Sequence, residues 1–157
     1  MKIDRVYGLP ADFEHLGRPA RAEGHQHLDR LAADMASGSN TFSLPGEALF
    51  TVRDGSLLLA IGGLNIDPYA GDLRTGRLRR VYTHPQARRR GIGQQLVRAI
   101  EQHALVQFSC LQLYTTAPDA AAFYRALAYV AVSGNPRVSH AKRLTTGTAD
   151  SRRTEDP

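Results

Sequence analysis

The stretch HPQARRRGIGQQLVRAI, residues 84–100, sets three consecutive arginines against a Gly-Ile-Gly turn and runs straight on into an apolar, periodic segment. From Gly93 to about Val106 the residues Leu96, Val97, Ile100, Ala104 and Leu105 recur at helical spacing, which predicts an amphipathic helix. Arg77 to Thr83 reads as the strand before it. Strand, turn and helix leave Arg88 to Gln94 as a turn whose backbone N–H groups face one way. Such a turn attracts anions, because the first N–H groups of a helix lack intrahelical partners and its dipole adds positive charge there. Glycines at 91 and 93 let backbone approach a phosphate closely.

Working outward, Lys2 to Tyr7 alternates apolar and polar residues and reads as a short first strand. Pro10 to about Ser37 has Phe13, Leu16, Leu28, Leu31, Ala32 and Met35 at helical spacings, and Gly17, Pro19 and Gly24 are expected to divide it into two helices. SGSNTFSLPG, residues 37–46, reads as a loop. Ala48 to Arg53 and Leu57 to Leu64 flank Asp-Gly-Ser, a hairpin signal, because Asp-Gly supplies the positive φ of a tight turn. Beyond the opening stretch come a strand at Cys110 to Tyr114, a helix at Pro118 to Leu127 and strands at Tyr129 to Val132 and Val138 to Leu144. The polar tail from Thr145 is expected to be disordered. The order β, α, α, β, β, β, α, β, α, β, β predicts the α/β class (α+β mixed), a mixed sheet with helices on its faces.

At 157 residues, 42% hydrophobic and 22% charged, the chain predicts one globular domain over residues 1–144. A lone cysteine, Cys110, excludes an internal disulfide framework and is expected in the core. With no secretory start and no membrane-length apolar run, a cytoplasmic location and no membrane partner are expected. The formal charge of +5 is unevenly spread, with eight arginines and no acidic residue between Leu73 and Ile100. An anionic partner follows: a phosphorylated cofactor, nucleic acid or a membrane surface.

Known phosphate loops narrow the choice. A nucleoside-triphosphate loop needs Gly-Lys-Ser/Thr where this chain has Gly93, Gln94 and Gln95, and a dinucleotide fingerprint needs glycine where it has Leu96. A nucleic-acid module needs aromatic residues among its cations, and only Tyr82 lies among these arginines. That reading is the weaker rival. His25 and His27, two apart with no cysteine near, are expected on different sides of a helix, so no metal is predicted. Asn65 and Tyr69 suit either acceptor contact or turn chemistry.

Arg88, Gly91 and Gly93 form R-x-x-G-x-G, which resembles the pyrophosphate loop of the GNAT superfamily of N-acetyltransferases. LRRVYTHPQARRRGIGQQLVRAIEQHA, residues 78–104, is similar to that family's central strand, loop and helix, and LQLYTTAPDAAAFYRALAYVAV, residues 111–132, to its next strand, helix and strand. The resemblance implies a mostly antiparallel sheet with a splayed strand pair, and acetyl-CoA as co-substrate. It implies direct attack of a primary amine on the thioester through a tetrahedral intermediate, without a metal. Backbone groups of Val81, Tyr82 and Thr83 would pair with the pantetheine arm and an N–H there would stabilise the oxyanion. Arg88, Arg89, Arg90, Gly91, Ile92, Gly93 and Gln94 would hold the pyrophosphate. Tyr124 stands where the family has the general acid for the departing thiolate, a role that suits a hydroxyl of pKa about 10.

Ala117 stands where the family frequently has a cofactor-contacting asparagine, and Leu127-Ala128-Tyr129 replaces the usual Leu-Gly-Phe. The central strand carries no acid, so the base is sought among Glu23, Glu47, Asp67 and His84, with Glu23 and Glu47 preferred for amine recognition or water-mediated deprotonation. The missing acid and Ala117 keep a second reading open, a non-catalytic acyl-CoA sensor. The acceptor is a small molecule by preference over a protein, and the resemblance allows a homodimer.

Overall fold

β4, Thr75–Thr83, organises the molecule, and only its first part is paired on both sides. The computed structural model describes residues 1–145, in which β1 (Lys2–Val6), α1 (Glu14–Ala22), α2 (His27–Ser37), β2 (Ala48–Asp54), β3 (Leu57–Ile66), β4, α3 (Ile92–Ala104), β5 (Cys110–Leu113), α4 (Pro118–Ala126), β6 (Val130–Ala131) and β7 (His140–Arg143) follow in the expected order. The strands form one seven-stranded sheet, β1-β2-β3-β4-β5-β7-β6, antiparallel at every junction except β4–β5. That parallel pair needs a crossover, and α3 supplies it. Thr75, Gly76 and Arg77 pair with Cys110, Leu111 and Gln112, after which β4 continues from Leu78 to Thr83 with no strand on that side. This is the expected splay.

β4 also carries an extra residue. Ile61 of β3 lies opposite Tyr82 and Gly63 opposite Arg79, so two steps along β3 match three along β4. Arg80 absorbs the difference at φ +60°, a conformation rare for a residue with a side chain.

Each sheet face has its own core. α3 lays Ile92, Leu96, Val97, Ile100 and Ala104 on one face with Leu64, Leu78, Leu111 and Tyr124, each large apolar side chain contributing about 1.5–3 kcal/mol. α1 and α2 cover the other with Leu16, Ala20, Leu28 and Leu31 against Leu49, Ile61 and Tyr82. Gly63 permits one close approach: a Cβ there would lie 2.4 Å from Phe42 Cε1. The absent side chain lets the 38–47 loop press its phenylalanine onto the sheet.

Three boundaries differ from expectation. Gly17 and Pro19 lie inside α1, and the break falls later, at Gly24 with φ +83°. Gly17 is buried within α1 and does not end the helix. β6 is only two residues long. Cys110 is half-buried rather than core, and desolvation raises its thiol pKa. The expected disordered tail lies outside the described residues beyond Thr145. Among the described residues no helix is long and apolar enough to cross a membrane, and no cluster of three metal-ligating side chains occurs.

Candidate active site

Beyond Thr83 the chain turns sharply, because the N–H of His84 donates to Leu59 O at 2.8 Å and His84 Nδ1 accepts from Gln86 N at 3.1 Å. One 3-10 turn, Pro85–Ala87, leads into the arginine run. α3 then starts from Gly91 at φ +74°, and no side chain caps it. The N–H groups of Ile92, Gly93 and Gln94 are therefore without intrahelical acceptors at the positive end of the helix dipole. Arg89, at φ +64°, and Arg90 are exposed beside them. A Cβ on Gly93 would sit 3.2 Å from Thr83 Oγ1 and 3.5 Å from the Phe123 ring, so this glycine brings the helix start against the end of β4 and against α4.

Arg88 serves differently from its neighbours. Its guanidinium donates to both oxygens of Glu23, at 2.6 and 2.7 Å, and its Nε to Thr83 O at 3.1 Å. The Tyr82 hydroxyl donates to the same carboxylate. Arg88, and then Tyr82, hold the Glu23 carboxyl down at about 2, while burial and that carboxylate raise the Tyr82 phenol. A carboxylate of such low basicity takes protons poorly from an ammonium. Glu23 thus braces the loop, joining the end of α1 to β4 and the start of the arginine run.

Glu47 is 4% exposed and fully employed. Its Oε1 accepts from Leu44 N at 3.1 Å, and its Oε2 from Ile66 N and Asn65 Nδ2 at 2.9 Å each. Asn65 in turn exchanges two 2.9 Å hydrogen bonds with Asn40. These residues pin the 38–47 loop to β3 and commit both carboxylate oxygens to structural hydrogen bonds. Asp67 is buried against Arg77 at 3.3 Å, and Tyr69 lies over the guanidiniums of Arg77 and Arg137. His84 stacks on His15 with centroids 4.6 Å apart, and burial, then the His15 charge, lowers its pKa. The acids and the imidazole considered as bases are thus scattered and mostly engaged.

Tyr124 is placed apart from them, on α4. Its ring meets Phe123 and Tyr129 edge-on at 5.0 and 5.5 Å, and burial raises its pKa, so the hydroxyl stays protonated. Among the described residues that hydroxyl has no hydrogen-bond partner, whereas the Tyr129 hydroxyl is committed to Glu101 at 2.9 Å. Ala117 is the exposed N-cap of α4 and offers no side-chain hydrogen bond. His25 and His27 fall before α2 and at its start, and both rings lie about Tyr82, at 6.1 and 6.0 Å, rather than on opposite helix sides. Burial, then the charges of His25, Arg80 and Arg30, lower His27 to about 4.

Arg79, Arg80 and Asp34 come together without a local signal in the sequence. Nothing in RLRRVYT signals an inserted residue, and Asp34 lies 46 positions earlier on α2, 3.6 Å from Arg80.

A family model described as the acetyltransferase (GNAT) domain matches residues 45–131, more than half of the chain. A crystal structure of a proposed acetyltransferase from Exiguobacterium sp. 255-15 is 32% identical, with a TM-score of 0.78, over 90% of this chain and 92% of that one. The chain belongs to the GNAT acetyltransferase family. Two more distant structures share this acetyltransferase's fold. A proposed GNAT acetyltransferase from Desulfovibrio desulfuricans is 13% identical with a TM-score of 0.73, covering 92% of this chain and 99% of that one. An aminoglycoside 6'-N-acetyltransferase complexed with coenzyme A is 15% identical with a TM-score of 0.68, covering 93% and 98%. The matched segment contains the whole of β4, the arginine loop, α3 and α4.

Proposed function

We propose that residues 1–144 form one domain that transfers an acetyl group from acetyl-CoA to a primary amine. The observation that carries the reading is the uncapped start of α3 at Gly91, set beside the unpaired edge of β4 and the uncommitted hydroxyl of the largely buried Tyr124. The amides from Arg88 to Gln94 receive the pyrophosphate, with the exposed Arg89 and Arg90 adding attraction and Arg88 holding the loop through Glu23. Exposed guanidiniums contribute modestly, about 0–1 kcal/mol each, so the backbone amides and helix dipole carry most of the recognition. On the side of β4 that no strand covers among the described residues, backbone of Val81, Tyr82 and Thr83 pairs with the pantetheine arm much as an added strand would, Arg88 Nε giving up its 3.1 Å bond to Thr83 O where the arm needs that carbonyl.

The amine nitrogen attacks the thioester carbonyl carbon, an N–H of the open β4 edge stabilises the oxygen, and the C–S bond breaks as Tyr124 gives its proton to sulfur, while the surplus proton on nitrogen leaves to solvent and the tyrosinate is reprotonated from it. Protonation is the role for which a hydroxyl kept neutral by burial is suited. Glu23 and Glu47 hold structure in this scheme, and the amine reacts from its unprotonated fraction. A coenzyme A fits the site in charge: the uncapped start of α3 and the exposed Arg89 and Arg90 offer positive charge to its pyrophosphate.

Calorimetric titration tests this with acetyl-CoA, desulfo-CoA, ATP and a DNA duplex, followed by free-thiol release with an amine panel. Binding confined to the coenzyme A compounds, with thiol release in the presence of an amine, is expected. Binding of DNA alone with steep salt dependence overturns the reading.

A further inference from the structure

At the β4 bulge, Arg79 and Arg80 leave the strand on the same face. Arg79 lies opposite Gly63, whose Cβ position points at Phe42 in the core beneath α1 and α2. Arg80, the next residue, reaches Asp34 of α2. Neighbours in a regular strand point to opposite faces, and the inserted residue at φ +60° removes that alternation. Two guanidiniums therefore face α2 along the part of β4 that has no strand on its other side.

Their charge is only partly neutralised. Asp34 Oδ2 stands 3.6 Å from Arg80 Nη2, long for a charge-assisted hydrogen bond, and Asp34 Oδ1 accepts from Ser39 Oγ at 2.9 Å. Arg80 Nε is buried with no partner. Arg79 and Arg30 both lie close enough to oppose the charge on Arg80. Glu23, on the same side, is committed to Arg88 and Tyr82, and His27 is neutral at pH 7. Among the described residues Asp34 is the one carboxylate in an ion pair with Arg80, while Arg79 and Arg30 add like charge beside it. Nε is enclosed by protein, so an anionic oxygen of a ligand meets the outer part of the Arg80 side chain, which is 16% exposed, together with Arg79.

Resting on acetyl transfer to an amine, we infer that the Arg79–Arg80 bulge binds an anionic group of the acceptor, so that the acceptor is an amine also bearing a carboxylate or a phosphate monoester. Both anions present the paired oxygens that a guanidinium fork recognises. A polycationic acceptor of the aminoglycoside kind meets like charge here.

The test uses the full chain with acetyl-CoA and matched amines: phenethylamine against phenylalanine, ethanolamine against O-phosphoethanolamine, and kanamycin as the polycation. In the wild type, kcat/KM for the carboxylate or the phosphate member is expected to exceed its neutral partner by about ten-fold or more, the pair that shows the gap telling which anion is used. Arg80→Gln and, separately, Arg79→Gln are expected to narrow the gap to about three-fold or less while the acetyl-CoA Kd moves by less than about two-fold. Arg79 has no positive φ, so R79Q carries the test if R80Q folds poorly. Equal or better use of the neutral amines or kanamycin overturns the inference, as does a gap that survives both substitutions. Acetyl-CoA binding without binding or turnover of either anionic amine overturns it while the cofactor reading stands. Failure of acetyl-CoA to bind overturns both.

Discussion

Glu23 and Arg88, 65 residues apart in the chain, meet in a two-pronged ion pair with N–O distances of 2.6 and 2.7 Å. The pair closes a path from the end of α1 to the arginine loop, and the Tyr82 hydroxyl completes it. Replacing Glu23 with Gln is expected to free Arg88 and loosen the loop, raising the acetyl-CoA Kd by about three- to ten-fold with a smaller change in kcat. Calorimetry and steady-state rates on the same sample check the split; a fall in kcat alone would restore Glu23 as a base.

The same carboxylate gives a pH signature. Its pKa drops from 4.5 to about 2 on folding, so it binds fewer protons folded than unfolded, and its contribution is fully present above 4.5 and lost as pH falls toward 2. Thermal melts from pH 7 to pH 3 are expected to show wild type losing stability more steeply than E23Q below pH 4.5. Parallel curves would mean the ion pair contributes nothing in solution.

Tyr124→Phe is expected to lower kcat by about 10²- to 10⁴-fold while leaving acetyl-CoA affinity nearly unchanged, since the hydroxyl has no partner among the described residues and the ring contacts persist. Single-turnover thiol release measures this step directly. Undiminished turnover removes Tyr124 as the acid.

Glu47→Ala is expected to destabilise the fold by about 1–3 kcal/mol, because the buried Asn65 amide and the part-buried N–H groups of Leu44 and Ile66 lose their acceptor. Urea denaturation measures the loss. The catalytic rate per folded molecule is expected to persist, and its collapse would make Glu47 part of the chemistry.

Gly63→Ala forces a methyl group to within 2.4 Å of Phe42 Cε1 and is expected to cost about 1–3 kcal/mol of stability. If G63A melts like wild type, the 38–47 loop does not pack on β3 as described.

The chain's local patterns carried most of the fold. Helical spacing from Leu96 to Ala104, the Asp-Gly turn between β2 and β3, and the glycines beside Arg88 are short-range signals, and each element follows the expected order. They also located the uncapped helix start at Gly91, which depends on neighbouring residues alone. Gly17 misled because one glycine costs a helix only about 1 kcal/mol, less than the burial of Leu16 and Ala20 on the same helix contributes.

Long-range pairing was not legible in the same way. Arg77, Arg80 and Arg88 look alike in sequence, yet one is buried on Asp67, one half-neutralised by Asp34 and one clamped by Glu23. The sequence by itself determined where backbone amides and positive charge accumulate. The tertiary structure alone decided which acids arrive to quench that charge and which guanidinium is left short of a partner, because ion pairing depends on distances through space that the bulge in β4 and the packing of α1 and α2 create.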